Sequence, residues 1–164
     1  MKNPHIRLSR RQWTASATAA LLVAIASAAP AATYVVDNAG DVSDGDFSAG
    51  QLTLREAITN ANALAGADTI QFDAAITVVT LTSILPSITE AVTIDGTVNA
   101  SYVEINGSTN AVSGFAALHV SSTSNGTNIG GLEIQGFTGR GIQVGGSNTV
   151  VGSPGKGNVI RNCT

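Results

Sequence analysis

The feature that most constrains the fold of this chain is a short motif that recurs in its second half. The motif reads Val-Thr-Ile-Asp-Gly at 92–96, Val-Glu-Ile-Asn-Gly at 103–107 and Leu-Glu-Ile-Gln-Gly at 132–136. Each copy alternates apolar and polar residues, as a half-buried strand does, and ends in a glycine suited to a corner. Short strands with small-residue corners that repeat about every 20–30 residues are typical of a parallel β-solenoid.

Further echoes strengthen this interpretation. Leu-His-Val at 118–120 is matched by Ile-Gln-Val at 142–144, and Ile-x-x-Phe at 134–137 by Ile-x-x-Cys at 160–163. In a solenoid each coil pairs with the coils above and below, so the inward residues stack into apolar ladders. A β-sandwich would also give short strands with turns, but it does not require one residue type to recur once per coil. The pattern therefore favours an all-β parallel β-helix.

A single amphipathic helix is predicted ahead of these strands. Thr53 and Glu56 have the spacing of a capping box, in which the hydroxyl and the carboxylate each satisfy an amide at the start of a helix. Gly66 is placed to end the helix in a left-handed conformation. The apolar residues at helical spacing form one stripe: Leu54, Ala57, Ile58, Ala61 and Ala65. Because the first coil of a solenoid would otherwise expose unpaired backbone groups, we expect this helix to cap it.

The first 31 residues have the three-part pattern of a secretory signal peptide. Four basic residues and no acid lie within 1–14, an apolar run covers 19–29, and Ala-Pro-Ala at 29–31 supplies the small residues that a signal peptidase requires. A transmembrane anchor is the alternative, but a span needs about 20 apolar residues. Ser-Arg-Arg-Gln-Trp at 9–13 resembles a twin-arginine signal, so that route and the general secretory route both stay open. We predict an exported protein, located outside the cell, on its surface or in the periplasm.

Removal of residues 1–31 would leave an acidic chain. That segment contains four of the eight basic residues and none of the eleven acids, so the remainder has a formal charge of −7. A nucleic acid or an anionic membrane surface as partner would require a basic patch. Both are therefore disfavoured, and no transmembrane anchor is predicted in this segment. Cys163 is the only cysteine, and we expect burial rather than pairing with an absent partner.

The segment that follows the predicted signal carries a family resemblance. It reads Asp-Val-Ser-Asp-Gly-Asp-Phe at 41–47, Leu-Thr-Leu-Arg-Glu-Ala-Ile at 52–58, Ala-Asn at 61–62 and Gly-Ala-Asp-Thr-Ile-Gln-Phe at 66–72. In these motifs the chain resembles the CSLREA domain, which begins many exported bacterial proteins that continue as right-handed parallel β-helices. Gly-Asn-Val-Ile at 157–160 is similar to the coil signature of the same proteins. The resemblance implies a right-handed parallel β-helix with an N-terminal capping helix, an exported location and no particular activity.

The resemblance also divides the chain and shows one departure. It implies a signal peptide at 1–31, a CSLREA-like cap at 32–72 and β-helix coils at 73–164, and we expect the coils to continue beyond Thr164. Phe47 and Leu52 stand where the family usually has two cysteines, so an apolar pair replaces the disulfide that the family implies. We therefore expect Phe47 and Leu52 to touch each other and the start of the helix.

Two groups of ionisable residues suggest chemistry, and each has a structural alternative. Arg55 and Glu56 resemble a catalytic pair, but a helix-capping Glu beside a structural ion pair is favoured. Four acids after the first predicted strand are weak calcium candidates, because hard cations bind clustered carboxylate oxygens. Their spacing does not fit an EF-hand, and Asp is also favoured in solvated turns for its bonds to the backbone. These acids are Asp37, Asp41, Asp44 and Asp46.

Two classes of function remain. The first is a non-catalytic exported or cell-surface β-helix module, a structural shaft or an adhesive element with a glycan or surface-protein partner. The second is the N-terminal part of a β-helix polysaccharide lyase or glycoside hydrolase, which would need clustered acids or calcium-binding acids beside a base. Only Glu104 and Glu133 stand at coil spacing, and we expect them to form an outward, mildly repelling ladder. The first class is therefore preferred, with no cofactor apart from the calcium alternative.

Overall fold

The computed structural model describes residues 30–107, 114–153 and 155–164, which form a parallel β-solenoid of about three turns. The predicted signal peptide falls almost entirely outside these residues. Within the described ranges the elements are β1 (Thr33–Val36), α1 (Leu54–Ala63), β2 (Asp68–Phe72), β3 (Val78–Thr80), β4 (Val92–Asp95), β5 (Val103–Asn106), β6 (Leu118–Val120), β7 (Asn128–Gly130), β8 (Leu132–Gln135), β9 (Ile142–Val144), β10 (Val150–Val151) and β11 (Val159–Arg161).

The strands form three parallel sheets, one for each side of the coil. The first sheet has the order β1-β2-β4-β7-β10, the second has the order β11-β8-β5-β3, and the third pairs β6 with β9. Consecutive strands of one coil belong to different sheets, while strands one coil apart are hydrogen-bonded neighbours. This arrangement confirms the prediction of an all-β parallel β-helix.

The core consists of apolar ladders that run along the solenoid. Ile70, Ile94 and Ile129 are register partners on β2, β4 and β7, and all three are fully buried. Val79, Ile105 and Ile134 form a second fully buried ladder on β3, β5 and β8. The residues between them point outward, so the alternation in the sequence corresponds to inside and outside of the coil.

One corner of the coil depends on glycine. Gly131 links β7 to β8 with φ at +74°, a conformation that L side chains rarely adopt. A Cβ atom at this position would lie 2.5 Å from the carbonyl carbon of Gly96 and 2.5 Å from the amide nitrogen of Thr97. Two coils therefore stack backbone against backbone here, which confirms the prediction of small-residue corners.

The helix begins as predicted and lies at the N-terminal end of the solenoid. The Thr53 hydroxyl accepts a hydrogen bond from the Glu56 amide at 3.3 Å, and the Glu56 carboxylate accepts one from the Thr53 amide at 3.2 Å. Leu54, Ile58 and the alanines of the same stripe within the helix are buried. The helix packs against β1 and β2, the first two strands of their sheet, so it caps the first coils.

The end of the helix differs from the prediction. Helical structure stops at Ala63, and Leu64 is already extended, with φ at −108° and ψ at 135°. Gly66 has φ at +142°, which is not the left-handed conformation of a helix cap, and Ala65 is exposed outside the helix. The physical reason is that Asp68 must start β2 in register with Val92, so the chain straightens early.

The remaining predictions on the fold concern Cys163 and the membrane. Cys163 is half-buried and packs against the apolar core, so it is less buried than expected. Within 30–107, 114–153 and 155–164, no helix combines the length and the apolar character that a bilayer span requires.

Candidate functional site: a lateral groove beside the two-stranded sheet

An open groove of about 390 Å³ lies on the side of the solenoid formed by β6 and β9. We call it the lateral groove. Its lining contains apolar, aromatic and polar side chains: Ile84, Leu85, Ser87, Phe115, Ala116, His119 and Gln143. None of these residues is a carboxylate, a lysine or an arginine. The site therefore offers apolar surface and hydrogen-bonding groups without a fixed charge.

Polar residues form a row along one side of the groove. On β6 the flanking Leu118 and Val120 are buried, so His119 between them points outward. Gln143 is the register partner of His119 on β9, one coil further along. Ser87 joins the same row one coil earlier, because Ile88 forms a parallel bridge with Val120. Strand alternation and coil stacking thus bring three hydrogen-bonding side chains together from distant parts of the sequence.

The contact between Ser87 and His119 is the closest polar pair of the groove. The Ser87 hydroxyl lies 2.9 Å from His119 Nδ1, and either atom can act as the donor, depending on the imidazole tautomer. A serine nucleophile needs a base that a third group orients, and it needs donors for an oxyanion. The groove lining has no carboxylate to orient His119. The pair therefore fixes the imidazole and leaves Nε2 as the other hydrogen-bonding atom of the ring.

The capping helix supports one wall of the groove through Arg55. The guanidinium donates from Nη1 to the carbonyl of Ile84 at 2.7 Å and from Nη2 to the carbonyl of Ser83 at 3.0 Å. Asp41 holds the same guanidinium with two bonds of 2.9 Å, one from Nε and one from Nη2. Asp41 also accepts the Thr82 amide at 2.8 Å. The Asp41–Arg55 pair is thus structural, and it is also a support of the site.

Asn62 supports the same wall. It lies in the helix one turn after Ile58. Its amide donates from Nδ2 to the carbonyl of Ser87 at 2.7 Å and accepts the amide of Thr89 at 2.8 Å through Oδ1. These two bonds fix the backbone on both sides of Ile88. The position of Ser87 beside His119 therefore depends on the helix as well as on the sheet.

The four calcium candidates do not converge. Asp37 accepts the amides of Gly50 at 2.7 Å and Leu52 at 2.9 Å, whereas Asp41 is engaged by Arg55. Asp44 accepts the Asp46 amide at 3.0 Å, and Asp46 accepts the Ser48 amide at 3.0 Å, as Asp does in tight turns. In the part of the chain that the structure describes, no three His, Cys, Asp or Glu residues are grouped as metal ligands. Each carboxylate instead organises its own stretch of backbone.

Glu56 fixes the loop that precedes the helix. Its Oε1 accepts the amides of Asp44 at 3.1 Å and Gly45 at 3.0 Å, while its Oε2 accepts the amide of Thr53 at 3.2 Å and the Thr53 hydroxyl at 2.9 Å. Burial would raise the pKa of Glu56, but the hydrogen bonds from Gly45, Thr53 and Asp44 outweigh burial and lower the pKa. Hydrogen bonds from Ser48 likewise lower the pKa of Asp46. Arg55 and Glu56 thus belong to different networks, and neither lines the groove.

The two members of the predicted Phe47–Leu52 pair differ in burial, and their contact stays a prediction. Leu52 is buried and belongs to the core, whereas Phe47 is 55% exposed. Asp44 and Asp46 fold the backbone on either side of Phe47 into tight turns, and Asp37 holds the amides of Gly50 and Leu52 from across the loop. Those turns leave Phe47 on the surface.

The stacked acids Glu104 and Glu133 are register partners on β5 and β8, as predicted. The expected repulsion is relieved, because each carboxylate has its own donor. Glu104 accepts the side-chain amides of Asn106 at 2.7 Å and Gln135 at 2.6 Å, and Glu133 pairs with Arg161. This polar ladder lies on the second sheet, away from the lateral groove.

The residues of the groove were not predicted from the sequence as a site. The echo between 118–120 and 142–144 placed His119 and Gln143 at equivalent positions of successive coils, which was the available signal. Nothing in the local sequence places Ser87 or Phe115 beside them. Comparison of the chain with protein-family models, with curated proteins and with solved structures finds no match in any of the three.

Proposed function

We propose that the protein is an exported, non-catalytic β-helix module that binds an uncharged glycan in the lateral groove. The observation that carries this proposal is the lining of the groove. It combines an exposed aromatic ring with a row of hydrogen-bonding side chains, and it contains no carboxylate, lysine or arginine.

The aromatic ring suits the apolar face of a sugar. Phe115 is 56% exposed, and Ile84, which also lines the groove, is exposed as well. Aromatic rings contribute large contact area at little cost in conformational entropy, because only two side-chain torsions are fixed. Ser87, His119 and Gln143 supply donors and acceptors that match ring hydroxyls. The volume of about 390 Å³ lies within the usual range of about 300–1,000 Å³ for small-molecule sites.

The same lining argues against hydrolysis in the groove. Glycoside hydrolases commonly place two carboxylates on either side of the scissile bond, and none lines this site. The lyase or hydrolase of the second class has one observation in its favour, the stacked pair Glu104 and Glu133. Both carboxylates are already engaged by side-chain donors, so that pair supports the solenoid surface rather than acid–base chemistry.

The exported location and the relationship to CSLREA-domain proteins are parts of the same proposal. They are supported by the basic and apolar start of the chain, by Ala-Pro-Ala at 29–31 and by the motifs at 41–72. The helix of that segment supports the groove wall through Arg55 and Asn62. The N-terminal cap would then serve both the fold and the binding site.

Affinity electrophoresis of the full chain tests the proposal against neutral polymers, such as xylan, mannan and dextran, and acidic polymers, such as polygalacturonate and alginate. We expect retardation by at least one neutral polymer. Phe115→Ala should weaken that binding about two- to twelvefold, since an aromatic contact contributes about 0.5–1.5 kcal/mol beyond area burial. Phe47→Ala is the matched control, because Phe47 is equally exposed but lies outside the groove. Equal loss in both variants, or retardation by acidic polymers alone, would overturn the proposal.

A further inference from the structure

A carboxylate is buried at the N-terminal end of the solenoid with only one of its oxygens bonded. Asp68, the first residue of β2, has 0% exposure. Its Oδ1 accepts the backbone amide of Ala32 at 2.7 Å. Its Oδ2 is fully buried and has no hydrogen-bond partner among the described residues. A buried acceptor without a donor costs stability, and within 30–107, 114–153 and 155–164 no group donates to this oxygen.

The nitrogen of Ala32, which donates to Asp68, lies at the predicted processing site. Ala-Pro-Ala at 29–31 has the small residues that signal peptidase reads, which makes Ala32 the first residue after cleavage. Pro30 and Ala31 are exposed, so the bond before Ala32 is accessible on the folded chain. The carbonyl of Ala32 accepts the Thr69 amide at 2.8 Å, which holds Ala32 in line with the start of β2.

We infer that cleavage after Ala31 converts the Ala32 amide into an ammonium group that pairs with both oxygens of Asp68 and stabilises the first coil. In the cleavage a signal peptidase adds one water across the peptide bond. The C–N bond breaks, the water oxygen becomes part of the Ala31 carboxylate, which leaves with the leader, and the Ala32 nitrogen adds the two hydrogens of the water to its own to become an ammonium group at neutral pH. Leader removal is thereby coupled to stability. This inference rests on the proposed export, because export is when the leader would be removed in the cell. The chemistry itself involves only the new N-terminus and Asp68.

The change in donor capacity is the physical basis. A peptide amide donates one hydrogen bond, and Oδ1 takes it. An ammonium at the same position has three donors and a positive charge, so it can serve Oδ2 as well. Charge-assisted hydrogen bonds are shorter and about twice as strong as neutral ones. The processed chain retains the whole core, because every core residue of the described ranges lies after Ala32.

The test compares the full-length chain with the same chain after treatment with purified signal peptidase. We expect the processed form to begin at Ala32 and to melt about 5–10 °C higher, the shift that roughly one additional charged hydrogen bond gives a domain of this size. Acetylation of the Ala32 amine restores a neutral amide and should abolish the increase. Both forms carry Lys156→Arg, because the reagent would otherwise also modify Lys156, whose Nζ donates to the carbonyls of Gly96, Asn99 and Ser101. Asp68→Asn should also abolish it, whereas the exposed Asp73→Asn should not.

The pH dependence gives an independent readout. A neighbouring carboxylate raises the pKa of an α-amino group above its ordinary value of about 8. The stability increase should therefore be complete at pH 6–7 and disappear as the pH rises through the higher folded-state pKa. Tyr34 also makes the fold less stable as the pH rises, since burial and the charge of Asp68 raise the pKa of its phenol. The acetylated chain keeps Tyr34 and Asp68, so the difference between the two forms isolates the amine.

The outcomes separate this inference from the proposed export. Equal melting temperatures of the processed and the acetylated chains would overturn the inference, even if exported material begins at Ala32. Processing at another bond would overturn it as well. A stability increase in the processed chain together with failure of export in cells would refute only the proposed location.

Discussion

Glu56→Gln is the sharpest test of how the cap is built. The substitution preserves the shape of the side chain and removes its charge. Glu56 is 2% exposed, and its two oxygens accept three backbone amides and one hydroxyl. A glutamine has a single acceptor oxygen, so its NH₂ group must face either the amides of Asp44 and Gly45 or the donors of Thr53.

The arrangement that costs less turns the NH₂ group toward Thr53. The Thr53 hydroxyl can still donate to the carbonyl of Val42 at 2.9 Å, but the Thr53 amide loses its acceptor. One unsatisfied buried amide costs about 1–3 kcal/mol, and the two remaining bonds weaken from charged to neutral. We therefore expect Glu56→Gln to lower the free energy of unfolding by about 2–4 kcal/mol. Urea denaturation at pH 7 followed by circular dichroism measures this loss.

The pH profile of the two chains adds a second check. Because the pKa of Glu56 is lower in the folded state, its contribution is complete above the unfolded value of about 4.3 and is lost as the pH falls through the folded value. The difference between wild type and Glu56→Gln should shrink in acid. Glu90→Gln changes an exposed acid and serves as the control. A loss below about 0.5 kcal/mol, or one equal to that of Glu90→Gln, would refute this account of the cap.

Three further predictions address the core, a corner and the groove support. Ile58→Ala should cost about 2–5 kcal/mol in urea denaturation, because the side chain is buried beneath the helix; an unchanged midpoint would mean that the helix does not cap the core. Gly131→Ala should lower the free energy of unfolding by about 2–4 kcal/mol, because the residue has positive φ and its Cβ would overlap the backbone of the neighbouring coil. Gly45→Ala, where φ is also positive but the space is open, should lower it by about 1 kcal/mol. Equal losses in the two variants would contradict the overlap. Asn62→Ala should weaken glycan binding severalfold in affinity electrophoresis by releasing the backbone of Ser87, and binding equal to wild type would contradict that support.

The repeated strands and the start of the helix could be predicted because both depend on local patterns. Alternation places Ile94, Ile105 and Ile134 inside the coil, and the capping box needs only Thr53 and Glu56. Such signals are carried by neighbouring residues, so the rest of the fold does not override them.

The groove, the end of the helix and the exposure of Phe47 could not be predicted, because long-range contacts decide them. Ser87 meets His119 only because coils stack in one particular register. The helix stops early because β2 must pair with β4. Phe47 stays outside because nearby Asp carboxylates bind backbone amides of its loop. In the sequence alone, such a group of Asp residues looks the same as a metal site.

The central claim is that the lateral groove binds a glycan without cutting it, and product analysis tests this most directly. The full chain is incubated, with and without calcium, with the polymer that retards it and with polygalacturonate and alginate. New reducing ends and unsaturated products are then followed over time. The account predicts retardation by the neutral polymer with no new ends in any reaction. Reproducible depolymerisation that is lost in Glu104→Gln, Glu133→Gln or Ser87→Ala would contradict it and identify an enzyme.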